Sequence, residues 1–501
     1  MKSFVHRTGL LYWYNLIMSF AAKLEAIDKK MWLDDGINND LDYLEQSSWI
    51  LFLKLLEDTE QDRIKTAELN NQEHKEIFKE EYKWSNWAVK KLLDGTIDLR
   101  GNLRGDQLIE YVEEELFPYL KSFTESAEET DSLEYKIGAI FNEIIFKFQD
   151  GNILREVLDS IDEISIGTDE DRHELSVLYE NRIYRMGTSE GRTGGQYYTP
   201  RPLIQTIVER VNPQIGETIY DGAVGSAGFL VEAYKFMIEK RKGIEEFNKL
   251  QKSTFYGNEK KSFGYIVGLM NMILHGIESP NIVRKNTLKE DSNNIQPKDQ
   301  HDIVLANPPF GGNEQTEVQQ NFTFKTSETA YMFLEHFMKI LKNDGRAGIV
   351  IKNTFLSNDD AALLRKELLT TCNLELILDL PSNTFPGAGV KTVVLFFKKG
   401  SPTNEIQYYQ LNLDRTIGKT NPLNLNDLDE FRNLAKESKS LNTWTIDVSE
   451  LNKTTYDLSV DNPHIEEEVL PDPKTILTEI QQLEKESASL LSNLEQIINE
   501  N

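Results

Sequence analysis

The chain reads as an α/β protein: a mostly parallel sheet, preceded by a helical region and followed by a heptad helix. Three observations predict this. From Glu217 onward, short β-branched runs alternate with helical patterns, as in successive β-α-β units. Between about residues 20 and 165, apolar residues recur at helical spacing instead. Near the end, Ile476, Ile480, Leu483, Leu490, Leu494 and Ile497 repeat with 4-3 spacing, and Ser487 completes the register.

In the helical region, Leu51, Leu53, Leu55 and Leu56 pack densely within 48–58, and 108–120 and 133–148 carry apolar residues at helical spacing. No nucleotide loop or nucleophile constellation occurs there, so residues 1–165 read as a packing or docking domain. Lys2 and Arg7 followed by 10–22 loosely imitate a secretory signal, but Tyr12, Tyr14 and Asn15 interrupt the apolar run. The expectation is a cytoplasmic chain whose first 17 residues are an over-long start, with Met18 as the natural initiator. A polar shift at 167–172 marks the boundary to a second domain, 166–470.

The expected strands of that domain are 217–221, 254–259, 281–286, 302–307, 346–352, 374–380, 392–398 and 406–410. Helical patterns fill 228–242, 262–275, 328–341 and 361–370. The last strands are separated only by loops, which predicts an antiparallel pair at one edge. Pro471 and Pro473 punctuate the start of the terminal helix, 471–501. Its seam lies beyond the sheet, so it is read as a surface for another subunit rather than for its own domain.

Composition narrows the class. With 501 residues, 39% hydrophobic and 27% charged, the chain can hold two or three soluble domains. No apolar run reaches the roughly 18 residues of a membrane span. The single cysteine, Cys372, excludes an internal disulfide and suggests a reducing compartment. Seven scattered histidines offer no zinc spacing, so no metal is expected. The net charge of −27, with 55 basic against 82 acidic residues, is awkward for binding nucleic acid. Either the chain does not bind DNA, or a partner brings most of the positive field.

The residues with chemistry begin at His301-Asp-Ile-Val-Leu-Ala-Asn-Pro-Pro-Phe-Gly311, a buried strand stopped by two prolines. The elbow carries one amide, Asn307, and one ring, Phe310. An amide can grip an exocyclic amine without removing its proton, and a ring can stack on a flat heterocycle. Asn307, Pro308, Pro309 and Phe310 therefore suit methylation of a planar amine such as adenine N6. Asn-Pro-Pro is also an ordinary turn after a strand, so the rest of the chain must decide.

Asp221-Gly-Ala-Val-Gly225-Ser226-Ala227-Gly228-Phe-Leu230 follows the first strand and opens a helix. Its glycines allow close backbone approach to a ligand, and the helix N-terminus offers free N–H groups. Its G-x-x-G-x-x-G spacing differs from the usual dinucleotide fingerprint. Glu259 ends the second strand, where a carboxylate can accept both hydroxyls of a ribose. Asn286 ends the third and can face the cofactor's adenine. Upstream, Gly194-Gly195-Gln196-Tyr197-Tyr198-Thr199-Pro200-Arg201 is a shaped loop before an apolar helix, placed to cap the cofactor pocket. Gly387-Ala-Gly-Val-Lys-Thr392 imitates the end of a P-loop, but Val390 stands where glycine is required and a strand follows. It is no ATP site.

Together these pieces resemble the N6-adenine DNA methyltransferases, and more narrowly the modification subunit of type I restriction-modification systems. The order Gln-Tyr-Tyr-Thr-Pro, then 221–230, Glu259 and 307–310 carries the resemblance, supported by 51–58, 380–397 and 456–459; it spans about 21 to 498. It implies a Rossmann-like S-adenosylmethionine-dependent methyltransferase sheet. Gln196, Tyr197, Tyr198, Thr199, Pro200, Arg201, Asp221, Gly225, Ser226, Ala227, Gly228, Glu259 and Asn286 would bind S-adenosylmethionine. Asn307 to Phe310 would hold an adenine flipped out of double-stranded DNA. Gly222 stands where many relatives have Pro, and Gln196 where many have Glu.

Only about 100 residues follow Gly400, too few for a full base-reading domain. The resemblance accordingly implies a separate specificity subunit, with two modification subunits on one such subunit, and a restriction subunit in the full complex. Two other readings stand beside it. A protein-glutamine methyltransferase would use the same Asn-Pro-Pro, but usually with Tyr after the prolines and without the 196–200 block. A non-catalytic scaffold is disfavoured by intact Glu259 and 307–310.

Overall fold

A nine-stranded sheet organises the described residues, in the order β3-β2-β1-β4-β5-β7-β6-β8-β9. The strands are β1 Ile219–Asp221, β2 Phe255–Glu259, β3 Asn281–Arg284, β4 His301–Ala306, β5 Leu341–Lys352, β6 Cys372–Asp379, β7 Thr392–Lys399, β8 Glu405–Gln410 and β9 Thr443–Asp447. The computed structural model describes residues 22–499, apart from 70–73, 93–94, 99, 165–198, 278, 386–388, 419, 435–439 and 465–471. The expected start at Met18, the boundary at 165/166 and residues 194–198 of the upstream loop therefore lie outside the described residues.

The first five strands in spatial order pair in parallel, with β1 between β2 and β4. Alternation of strand and helix produced that topology: Gly228–Ile238, Ser262–Leu274 and Thr329–Ile340 are among the helices between or before these strands. Central strands of such a sheet are apolar on both faces, and Ile303 to Ala306 are fully buried.

The expected edge pair needs correction. β6 and β7 are antiparallel neighbours, but β7 lies inside the sheet, antiparallel to β5 as well. The Val-Val-Leu-Phe-Phe run of β7 is buried throughout, and a strand apolar on both sides cannot serve as an edge. The antiparallel edge is instead β8 with β9. The strand β9 was not anticipated, since it is short and reads as an ordinary loop. Its Trp444 stacks on Tyr408 at 5.1 Å, which anchors it.

The N-terminal helices share a core with the sheet. Asp40–Leu69 and Leu133–Glu143 pack against Ser262–Leu274, and one cluster joins Trp49 and Ile137 to Ile266 and Ile303. Residues through Val460 form one compact unit, and 461–501 another. The expected helix over 133–148 stops at Glu143, and the 108–120 pattern contains a wider π-helical turn at Tyr111–Leu116. The terminal helix spans Pro473–Asn499, with Leu483 and Leu490 exposed. Among the described residues, no helix is long and apolar enough to cross a membrane.

Gly257, in the middle of β2, is the tightest point of the sheet. A Cβ there would lie 2.3 Å from Val224 Cγ2 and 2.7 Å from the Asp221 carbonyl oxygen. Gly257→Ala is therefore expected to cost about 1–3 kcal/mol of stability, the range for overpacking a filled site. Urea unfolding of the variant and its parent measures this, and an unchanged midpoint would contradict it.

Candidate functional site

The strand order reverses at β1, and ligand crevices in open α/β sheets form at that point, beyond the carboxyl ends of the strands. A cavity of about 580 Å3 opens there. Gly225, Glu259, Asn286, Asn307 and Pro309 are among its walls.

Asp221 closes β1, and the glycine loop then doubles over β2. Gly225 and Ala227 both take left-handed backbone, with φ of 52° and 62°. For alanine this costs roughly 1–2 kcal/mol, so the turn must be held from outside. It is held on three sides. Val224 N–H donates to the Asn258 carbonyl at 3.1 Å, the Asn271 amide donates to the Ser226 carbonyl at 2.7 Å, and Gly225 N–H donates to Glu259 Oε2 at 2.9 Å. The helix from Gly228 starts immediately afterwards.

Glu259 is only 7% exposed. Its other oxygen, Oε1, accepts from Lys261 N–H at 2.8 Å. Burial raises its pKa, while the backbone N–H groups of Lys261 and Gly225 oppose that rise. A carboxylate accepts at about four lone-pair positions, so these backbone amides do not use up its capacity to accept from a hydroxyl. Asp221 is 1% exposed and accepts from Ala223 N–H at 2.9 Å. Burial, and then the charge of Glu259, push its carboxyl up to about 7.

Asn307 sits just past β4 and is 8% exposed. Its amide donates to Thr199 Oγ1 at 2.9 Å. Its Oδ1 is buried without a hydrogen-bond partner. A buried acceptor left unpaired costs about 1–3 kcal/mol, which a bound N–H donor would recover. Phe310 is half-buried and meets Phe385 edge-on, 5.0 Å between ring centres.

The structure therefore brings together Asp221, Gly225, Glu259, Asn286, Thr199, Asn307 and Pro309 from five separate stretches of chain. Pro200 caps the helix Arg201–Val211, and Arg201 pairs with Glu232 at 3.4 Å. Gln196, Tyr197 and Tyr198 lie outside the described residues. The position expected for Asn286 shifts: β3 ends at Arg284, and the Asn286 oxygen caps Leu288 N–H at 3.1 Å while the residue still lines the cavity.

Five residues that shape the site are not among those expected from the sequence. Gly257 admits the glycine loop, and a glycine inside a strand pattern was its available signal. Thr287 Oγ1 holds the Gly222 carbonyl at 2.6 Å. Phe385 braces Phe310 from 75 positions further along the chain, a separation that carries no local signal. Lys260 and Glu314 pair at 3.4 Å across two loops of the cavity wall.

The family model described as N-6 DNA Methylase matches residues 170–471. The chain is similar to the EcoEI methylase subunit of a type I restriction enzyme from Escherichia coli, 30% identical over 96% of this chain and 98% of the relative. It is similar to the EcoKI methylase subunit of Escherichia coli K12, 28% identical over 81% of this chain and 75% of the relative. Among solved structures, a modification subunit of a type I restriction enzyme from Vibrio vulnificus YJ016 superposes with a TM-score of 0.81. That pair is 33% identical and covers 89% of this chain and 97% of the other.

The raised pKa of Asp221 has a stability consequence. Its carboxyl stays protonated when folded over a range where the unfolded chain, at about 3.9, has lost the proton. Its contribution is thus present below about pH 4 and is lost as pH rises through about 7. Asp221→Asn should abolish this slope. The variant's unfolding free energy relative to its parent is expected to rise between about pH 5 and about pH 8 in urea titrations; parallel pH profiles would contradict the shift.

Proposed function

The chain belongs to the N-6 DNA methylase family, and from that premise we propose that its cavity holds S-adenosylmethionine and serves transfer to adenine N6. It is the modification subunit of a type I restriction-modification system, an adenine-specific DNA methyltransferase. The observation that carries the reading of the site is the unpartnered, buried Asn307 Oδ1 at the mouth of a cavity that also contains Glu259.

The residues present fit the cofactor. Glu259 has lone pairs free for a ribose diol, and the glycine loop lets backbone approach a nucleoside closely. The buried Glu259 carboxylate lines the cavity and favours a cationic ligand there. When bound, S-adenosylmethionine supplies a methyl group on a sulfonium, already an excellent leaving group.

The chain's own residues do the positioning. The target adenine leaves the duplex, because N6 is paired and shielded inside it. Asn307 Oδ1 and the Pro308 carbonyl accept the two N–H donors of the amine, which localises the nitrogen lone pair and aims it. Thr199 holds the other end of the Asn307 amide, so the acceptor cannot swing away. Phe310 stacks on the base, with Phe385 bracing its edge. Holding reactants in line supplies most of the rate, and no strong base is needed.

In this reading residues 1–165 dock, 166–470 catalyse and 471–501 assemble. Type I modification subunits work with specificity and restriction subunits on DNA. We assign two copies of this chain to one specificity subunit, which chooses the base and supplies much of the positive field that a chain of −27 lacks.

Tritiated methyl transfer to DNA, with the chain alone and with its specificity subunit, tests the assignment. Asn307→Ala should lower transfer by at least about 100-fold while retaining cofactor binding. Glu259→Ala should weaken cofactor binding by about tenfold or more. Label appearing in protein rather than DNA would overturn the substrate, and full sequence-specific methylation by the isolated chain would overturn the partner argument. Deleting 475–501 is expected to leave cofactor binding unchanged and to weaken assembly in size-exclusion chromatography. Undiminished assembly would remove that role from the helix.

A further inference from the structure

A second cavity, of about 560 Å3, lies on the face of β1, β2 and β3 that carries Tyr220, Tyr256 and Val283. Parallel sheets normally have both faces covered, because each crossover lays a helix on one of them. The crossover from β3 to β4, residues 285–300, contains only three single 3-10 turns, Thr287–Lys289, Ser292–Asn294 and Pro297–Asp299. The helix Thr329–Ile340 covers the Tyr220 end of this face, where His336 Nε2 lies 3.0 Å from the Tyr220 hydroxyl, but Val283 is 51% exposed in mid-strand.

The cavity is aromatic and polar together. His301 lies parallel to Tyr220, 5.0 Å between ring centres and 8° between planes, and 4.8 Å from Tyr256. His301 Nδ1 is buried without a hydrogen-bond partner. Burial, and then the charge of Lys342, hold the His301 pKa down at about 4, so the ring is neutral near pH 7. At the rim, Glu290, Asp291 and Asp299 outnumber Lys285 and Lys298, and Lys285 is already paired with Glu290 at 2.7 Å. A rim of that balance repels phosphate.

We propose that this cavity is a second binding site, for a planar nitrogen heterocycle without phosphate, of nucleoside size. A ring system stacks against the Tyr256 and His301 wall, and a ring nitrogen or exocyclic amine partners the orphaned His301 Nδ1. The volume suits one such molecule. The site shares none of its lining residues with the catalytic cavity, so the inference does not depend on the assignment of that cavity.

Adenosine is the probe, titrated calorimetrically into the full chain. Val283→Trp places a large side chain at the open face, where exposure leaves room for it to fold, and Tyr256→Ala removes one wall. Both should weaken one class of adenosine sites by about tenfold or more, with unfolding midpoints unchanged for Val283→Trp. Glu259→Ala should leave that class intact. Adenosine bound by the parent only at a class that Glu259→Ala removes would overturn the proposal, as would unaltered binding by both cavity variants. Adenosine monophosphate binding more tightly than adenosine would overturn the phosphate-free class.

Discussion

The close seating of the glycine loop on β2 is the constraint on which the rest of the site depends. Two glycines permit it from opposite sides. Gly257 leaves space for Val224 beneath, and Gly268, on the helix Ser262–Leu274, leaves space for the Gly225 carbonyl, which a Cβ would approach to 2.8 Å. With the loop seated, Gly225 N–H reaches Glu259, and the carboxylate that closes β2 is fixed by the turn that follows β1. Cofactor end and loop are thereby one rigid piece, positioned by packing rather than by long flexible side chains.

The catalytic end is held by different means. Asn307 lies on a proline-stiffened elbow, and its amide is tied to Thr199, more than one hundred residues earlier. Beyond the elbow, Thr329 donates to the Gly312 carbonyl through both N–H and Oγ1, at 3.2 and 2.9 Å. The next helix therefore anchors the loop that follows Phe310. Asn307 Oδ1 itself stays buried without a partner, and an unpaired acceptor in a cleft is how a binding site differs from a core.

The two cavities show how one sheet can support separate surfaces. Carboxyl ends of strands meet at the reversal of strand order and make the first. The second exists because one crossover never formed a helix, which left an aromatic face of the sheet partly open. Neither depends on the excess of acid, which bears on association with DNA rather than on the fold.

Much of this was legible in the chain. Strand-helix alternation gave the parallel sheet, because periods of 2 and 3.6 are local properties of side-chain direction. Asn307, Glu259 and the glycine loop could be read because strand ends and turns demand particular residues at particular offsets. What could not be read was long-range. The insertion of β7 between β5 and β6 follows from which faces must be buried, and β9 is a strand only because β8 offers a partner. Thr199 on Asn307, Phe385 on Phe310 and Val224 over Gly257 join residues far apart in sequence, and distance along a chain carries no signal of contact. Local sequence sets the chemistry available and the element that carries each group; which groups meet is settled by packing between elements, and no element encodes that alone.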